Sequence, residues 1–163
     1  MSGDDPIEIR IMRLPHAAEL PLPSYQSELA AGLDLVAALP AGSSVEIAPG
    51  ARAMIPTGIA IELPRGSEGQ IRPRSGLAIR DGITVLNAPG TIDADYRGEV
   101  QVILINHGSE RFLIRRGMRI AQLVIARVEK VKLVEVRRLN ATDRAGEGFG
   151  STGVESQAND VPK

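Results

Sequence analysis

The sequence lacks cysteine and tryptophan and has few aromatic residues of any kind. Without cysteine, disulfide bonds and thiolate metal ligands are excluded, which fits a reducing cytosol. Aromatic residues make up 2% of the 163 residues, so the core has to be built from aliphatic side chains. An aromatic residue outside an apolar segment is therefore a candidate for a functional role.

An excess of charge of one sign is also lacking, since the net charge is −1 and the pI about 6.1. Such a balance gives no general attraction for nucleic acid or membrane, so phosphate would have to be bound by a few placed groups. The apolar runs are too short to cross a bilayer, and the N-terminus has no apolar signal region. We expect one soluble cytoplasmic domain with neither a nucleic acid nor a membrane as partner.

What the chain has in quantity is short β-rich runs separated by Gly, Pro, Asn or Asp. Ile7, Ile9 and Ile11 alternate with polar residues, which is the period of a strand. Further strands are predicted over 33–37, 54–63, 69–72, 83–86, 100–105, 111–114, 119–128 and 132–136. Many short strands with turn signals between them predict an all-β sandwich or barrel.

One short helix is predicted over residues 76–80, with Ser75 as N-cap and Gly82 as the stop. In that arrangement Arg74 and the first backbone N–H groups would point to one place and could bind an anion, and Gly76 would allow a phosphate to approach closely. The alternative is an ordinary capped turn with a surface arginine. These residues alone favour that alternative.

Residues 102–105 and 123–126 are apolar on both faces of their predicted strands. Such strands either lie in the middle of a sandwich or have one face covered by another subunit. We favour an oligomer.

Residues 87–99 form a polar segment between predicted strands, which we interpret as a hairpin or tight β-excursion. A carboxylate there could activate water as a general base, and Tyr96 could offer a flat face to a sugar. For Asp95 and Arg97 a simple charge pair in a solvated hairpin is an equally good interpretation.

The composition changes after Asn140 to a Gly- and Ser-rich segment with almost no apolar residues. We therefore predict a β-domain over 1–140 and a flexible C-terminal arm over 141–163. The sequence GFGSTG in the arm formally matches a dinucleotide fingerprint, but no strand precedes it and no helix follows it, so that interpretation is rejected. Phe149, with no core to join, could stack on a nucleobase when the arm closes as a lid.

Several catalytic patterns are missing from the sequence. A P-loop is absent, and the two histidines, His16 and His107, are not at metal-ligand spacing. Each histidine is interpreted as a surface or turn residue.

Five segments, taken in order, resemble the five motifs of the trimeric dUTPase family. They are AGLDL (31–35), PRSGLA (73–78), GTIDADYRGE (90–99), RGMRIAQL (116–123) and RAGEGFGSTG (144–153). Each is weak alone, but together they cover nearly the whole chain.

The resemblance implies a jelly-roll-like β fold and a homotrimer whose active sites lie at subunit interfaces. One subunit would lend its arm, with the lid at 144–153, to a site built by the others. The implied reaction is hydrolysis of dUTP to dUMP and pyrophosphate by attack of water on the α-phosphorus, with Mg²⁺ held chiefly by the triphosphate. This activity would keep uracil out of DNA and supply dUMP for thymidylate synthesis.

The resemblance also assigns roles to individual residues. Asp93 matches the catalytic carboxylate, Tyr96 the residue under the deoxyribose, and Asp34 a residue that touches the metal through water. The uracil-reading hairpin corresponds to Asn87, Thr91, Ile92 and Gln101. The phosphate contacts correspond to Arg74, Ser75, Gly76 and Gln122. In the arm, the residues that would enclose phosphate or stack on uracil are Arg144, Phe149, Gly150, Ser151 and Thr152.

Ala145 and Glu147 depart from the family pattern, which usually has glycine at these places in the arm. Two other functions stay open at this stage. One is an enzyme related to dCTP deaminases, and the other is a nucleotide-binding regulator without catalysis.

Overall fold

The computed structural model describes residues 7–142 and 145–146, and the chain divides into two units, Met1–Lys130 and Val131–Lys163. The first unit contains a 3₁₀ helix at Pro15–Ala17 and an α-helix, α1, at Ser75–Asp81. Its strands are β1 Arg10–Arg13, β2 Leu33–Val36, β3 Ser44–Ile47, β4 Arg52–Pro56, β5 Ile59–Glu62, β6 Ser67–Arg72, β7 Ile83–Val85, β8 Gly90–Ile92, β9 Gln101–Asn106, β10 Phe112–Arg115 and β11 Arg119–Arg127.

All strand pairings are antiparallel and form four sheets. The largest sheet has the order β2-β11-β6-β8, and a second has the order β4-β9-β7. The pairs β1-β5 and β10-β3 complete the arrangement. Because strands next to each other in sequence often belong to different sheets, the chain passes repeatedly from one layer to another. The predicted all-β class with one short helix is confirmed.

The core is aliphatic, as the scarcity of aromatic residues requires. Buried side chains from all four sheets meet in one cluster, which includes Leu35, Ile47, Ile55, Ile61, Ile71, Leu104, Ile114 and Leu123. Burying each such side chain contributes about 1.5–3 kcal/mol before the entropy cost of ordering it.

Strand β9 shows how the two apolar faces are used. Val102 and Leu104 are completely buried, whereas Ile103 between them is half-buried. Met54, the partner of Ile103 on β4, is 61% exposed. One face of this sheet therefore belongs to the core, and the other leaves apolar surface open in the single chain.

Two strand predictions need correction in detail, and two strands were missed. The predicted strand 54–63 is two strands, because Gly58 turns the chain between β4 and β5 with φ of 71°. The first strand begins at Arg10 and not at Ile7. Strands β3 and β8 were not predicted, since four and three residues are too few for a clear alternation.

The strand predicted over 132–136 is wrong. In the second unit, described over 131–142 and 145–146, these residues adopt no strand, and Leu133 and Val134 are exposed. A composition rich in β-forming residues favours a strand, but a strand also needs a partner for its backbone hydrogen bonds.

The N-cap prediction for the helix is also wrong, by one residue. Arg74 occupies the cap position with extended φ and ψ of −92° and 124°, and Ser75 is the first residue of α1 without a side-chain cap bond. The reason lies in the backbone: the N–H groups of Leu77 and Ala78 both donate to the Arg74 carbonyl. Gly82 does end the helix, with φ of 67° in the left-handed region that favours glycine.

Candidate functional site

A pocket of about 210 Å³ opens beside the end of β8 and the start of β9. Its lining consists of Met54, Thr91, Ile92, Asp93, Tyr96, Glu99, Val100, Gln101 and Ile103. The structure thus gathers five of the residues that the sequence nominated: Thr91, Ile92, Asp93, Tyr96 and Gln101.

Asp93 reaches the pocket from the end of a short strand that is firmly held. Ile92 is buried and lies opposite Gly69 of β6. A Cβ added at Gly69 would lie only 3.3 Å from the Ile92 Cβ. The next residue, Asp93, is exposed, and its carbonyl accepts a hydrogen bond from the Tyr96 N–H at 3.1 Å. A carboxylate on such a fixed backbone can orient a water molecule and accept its proton.

Tyr96 forms one wall of the pocket in a fixed orientation. Its hydroxyl donates to the Glu99 carbonyl at 2.9 Å. A Cβ added at Gly98 would lie 2.6 Å from the Tyr96 Cζ, so only glycine leaves enough space for the ring. The ring therefore presents an apolar surface to whatever enters the pocket, while its polar end is already hydrogen-bonded.

Four lining residues were missed from the sequence: Met54, Glu99, Val100 and Ile103. Met54 and Ile103 face each other across β4 and β9, so no local pattern could have linked them to residues 91–96. Glu99 was inside the GTIDADYRGE motif, and its position three residues after Tyr96 was an available signal.

A second cluster surrounds Asp34 of β2, whose side chain is buried. Asp34 Oδ2 accepts a hydrogen bond from Arg119 Nη1 at 3.0 Å, and Oδ1 accepts one from Gln122 Nε2 at 3.4 Å. Arg74 Nη2 lies 3.5 Å from Oδ2. The pairing of β2 with β11 places Asp34 opposite Gln122 and so creates these contacts. Asp34 therefore holds two residues that the resemblance assigns to phosphate, and Arg119 was missed from the sequence.

The two clusters are separate in the single chain. Arg74, Ser75, Gly76 and Gln122 do not line the pocket of Asp93 and Tyr96, and Asn87 is exposed in the β7–β8 connection without lining it.

Asp93 also borders a larger groove of about 1080 Å³. Its lining carries charges of both signs, namely Glu62, Arg65, Glu68, Asp95, Arg97 and Lys130. Arg97 Nη2 lies 3.6 Å from a carboxylate oxygen of Glu62, so its partner is this residue and not Asp95. The mixed charges give the groove no strong preference for an anion.

No group of three or more His, Cys, Asp or Glu side chains in the described part of the chain could hold a metal ion. Asp34, the one residue nominated near a metal, already has both carboxylate oxygens in contact with Arg119, Gln122 or Arg74. This donor set fits a metal that is held by a ligand's phosphates and touched by the protein only from outside.

The nominated arm residues Arg144, Phe149, Gly150, Ser151 and Thr152 lie outside the described residues. Ala145 is described and has φ of 44°, with its N–H donating to the Thr142 carbonyl at 3.0 Å. Alanine thus adopts a left-handed conformation where the family pattern has glycine, at a cost of about 1–2 kcal/mol.

Among the described residues, no helix is both long enough and apolar enough to cross a membrane.

Comparison with known proteins connects these features to a family. A family model described as dUTPase matches residues 18–153. The chain is 60% identical over 150 residues to deoxyuridine 5'-triphosphate nucleotidohydrolase of Methylocella silvestris. The matched residues cover 92% of this chain and 94% of the relative.

Solved structures of phage enzymes share the fold. A dUTPase mutant of Staphylococcus bacteriophage 80alpha with dUpNHpp gives a TM-score of 0.80 at 24% identity, covering 90% of this chain and 99% of that chain. A dUTPase mutant of the S. aureus phage phi11, described with a structural Mg(II) ion, gives 0.70 at 22% identity, covering 80% of this chain and 97% of that chain. The jelly-roll-like β fold is confirmed. On the family model and the 60% identical relative, the chain belongs to the dUTPase family.

Proposed function

We propose that this chain hydrolyses dUTP to dUMP and pyrophosphate. The observation that carries the proposal is the placement of Asp93 and Tyr96 in one pocket, built by the same segment that carries the family's third motif. Membership of the dUTPase family and a 60% identical relative named for this activity support it. The reaction removes dUTP from the DNA precursors and supplies dUMP for thymidylate synthesis. The location that we propose for it is the cytoplasm.

In the proposed mechanism Asp93 holds a water molecule and takes one of its protons. The water oxygen forms a bond to the α-phosphorus, and the bond from that phosphorus to the bridging oxygen of the β-phosphate breaks. Pyrophosphate leaves with the electron pair of that bond. Arg74, held by Asp34, neutralises charge on the phosphate oxygens. Gln122, also held by Asp34, donates hydrogen bonds to them, as do Ser75 and Gly76.

Uracil is selected by the edge of β8. This strand is the last in its sheet, so its outer backbone N–H and C=O groups are free to pair with a base. We assign to uracil Thr91 and Ile92 of β8, Gln101 at the start of β9 and Asn87 in the β7–β8 connection. Tyr96 packs against the deoxyribose and leaves no room for a 2′-hydroxyl.

Mg²⁺ would be held chiefly by the triphosphate of the substrate, and Asp34 is the residue that would contact it through water. The compensated carboxylate of Asp34 suits an outer contact through water better than direct ligation. When bound, Mg²⁺ neutralises charge on the triphosphate oxygens.

The working enzyme is a homotrimer with active sites shared between subunits. The open apolar face of Met54 and Ile103 and the separation of the Asp34 and Asp93 clusters in one chain support this proposal. The β-domain spans 1–140 and the arm 141–163, and residues 144–153 close over the substrate. Arg144, Gly150, Ser151 and Thr152 contact the phosphates there, and Phe149 stacks on uracil.

Pyrophosphate release from dUTP, with dCTP, dTTP and UTP as controls, tests the activity. We predict that Asp93→Asn lowers kcat by about 10²–10⁴-fold, as expected for the loss of a general base. Asp95→Asn is the matched control, because Asp95 is exposed two residues away and does not line the 210 Å³ pocket. Near-normal turnover by Asp93→Asn would contradict the mechanism.

Two other functions are separated by measuring ammonia release alongside pyrophosphate release. A dCTP deaminase relative would release ammonia from dCTP, and a regulator would bind nucleotide without releasing pyrophosphate. The family match and the named relative favour neither.

A further inference from the structure

His16 contacts the pocket from a distant part of the chain. It lies in the 3₁₀ helix Pro15–Ala17, before the segment 18–153 that the family model matches. Its Nε2 is 2.9 Å from Oε1 of Glu99, a lining residue of the pocket. Because an ionised carboxylate can only accept a hydrogen bond, Nε2 carries the proton in this contact.

Glu99 connects this contact to Tyr96. Its Oε1 also accepts a hydrogen bond from the Gly58 N–H at 2.7 Å, and its backbone carbonyl accepts the one from the Tyr96 hydroxyl at 2.9 Å. The position of the Tyr96 ring therefore depends on where the Glu99 backbone is held. His16 and Gly58 together hold that residue from outside the pocket.

His16 is itself fixed from behind. Its backbone carbonyl accepts a hydrogen bond from Arg116 Nη1 at 2.9 Å, and the same atom donates to the Leu39 carbonyl at 2.6 Å. The next residue, Ala17, is buried. The imidazole thus approaches Glu99 from an anchored backbone and can hold the Glu99 carboxylate in place.

We propose that His16 is a positioning residue for Tyr96, acting through Glu99, and that it sharpens the preference for deoxyribose over ribose. This inference rests on the proposed function. Without the imidazole, the Glu99 carboxylate keeps one of its two hydrogen bonds, and the Tyr96 ring gains freedom to move away from the sugar. A ribonucleotide then fits more easily.

The exposure of the His16 and Glu99 side chains indicates that their contact positions Tyr96 more than it stabilises the fold. The side chains of His16 and Glu99 are 41% and 20% exposed, and exposed pairs of this kind add little to folding stability. A displacement of about 1 Å in a site, by contrast, can change a rate considerably. Removal of His16 should therefore affect substrate choice more than the unfolding temperature.

The test compares kcat/KM for dUTP and UTP in the wild type, His16→Leu and His16→Gln. We predict that His16→Leu lowers the dUTP/UTP ratio about three- to tenfold, the range expected for one lost hydrogen bond, mainly through a higher KM for dUTP. Glutamine carries an amide N–H near the position of Nε2, so His16→Gln should recover most of the ratio. His107→Leu is the matched control, since His107 is exposed and does not line the pocket.

A double-mutant cycle distinguishes positioning of Tyr96 from a purely structural role of His16. If His16 acts through the Tyr96 hydroxyl, His16→Leu should have little further effect on the ratio in a Tyr96→Phe background. Full additivity of the two changes, or an unchanged ratio in His16→Leu alone, would overturn the inference. Failure of the wild type to release pyrophosphate from dUTP would instead overturn the proposed function.

Discussion

Gly58 shows how much can depend on a single residue. It forms the turn between β4 and β5 in the left-handed region, with φ of 71°. A Cβ there would overlap the Cβ of Ala17 and lie 2.9 Å from the Cβ of Ala38. The same residue donates its N–H to Glu99, so the turn also supports the wall of the pocket.

We predict that Gly58→Ala destabilises the protein by about 2–5 kcal/mol, because backbone strain and overpacking add. Gly50→Ala is the control, since Gly50 has φ of 75° with nothing within 4 Å of an added Cβ. Gly50→Ala should lower the free energy of unfolding only by the backbone strain, about 1–2 kcal/mol. Urea unfolding of both variants measures the difference, and equal losses would show that the space around Gly58 is not restrictive.

At the scale of elements, the strands that carry the site are held by neighbouring strands. Strand β6 pairs with both β8 and β11, and so it positions Asp93 on one side and Gln122 on the other. In the second unit, Val131, Leu133 and Leu139 are exposed. We expect the proposed contribution of the arm to catalysis to be separable from the stability of the β-domain.

We predict that deletion of residues 144–163 lowers kcat/KM for dUTP and leaves the thermal unfolding of the β-domain unchanged. The reason is that the removed residues include the proposed phosphate and uracil contacts, whereas the buried core of the described residues runs from Leu35 to Leu123. Deletion of residues 154–163 alone, which keeps the fifth motif, should retain activity. Full activity in the longer deletion would contradict the proposed lid.

At the scale of the whole molecule, the proposed active site needs both the Asp34 and the Asp93 clusters. Each single chain carries both, but in separate places, and its outer apolar face at Met54 and Ile103 is open. A trimer in which neighbouring subunits complete each site accounts for both observations. Its mass should be three times that of the 17.4 kDa chain.

We predict complementation between two inactive variants, Asp93→Asn and the deletion of residues 144–163. When the two chains are co-expressed and purified together, mixed trimers contain sites with an intact Asp93 from one subunit and an intact arm from another. Pyrophosphate release should then exceed that of either variant alone. Activity no greater than the sum of the separate variants would show that each site uses its own arm.

The sequence by itself determined the features that depend on local chemistry. Absence of cysteine and scarcity of aromatic residues fixed an aliphatic core, alternation predicted most strands, and Gly82 marked the end of α1, because each of these needs only neighbouring residues. The segment GTIDADYRGE likewise brought Asp93 and Tyr96 to notice without any knowledge of the fold.

Only the tertiary structure decided which distant residues meet. Met54 and Ile103 join the pocket through the pairing of β4 with β9, and Arg119 reaches Asp34 through β11. His16 meets Glu99 across 83 positions of sequence. Likewise, residues 132–136 have the composition of a strand but no strand partner in the second unit. The physical reason is the same in each case: contacts and strand pairing depend on three-dimensional partners, which a local pattern does not specify.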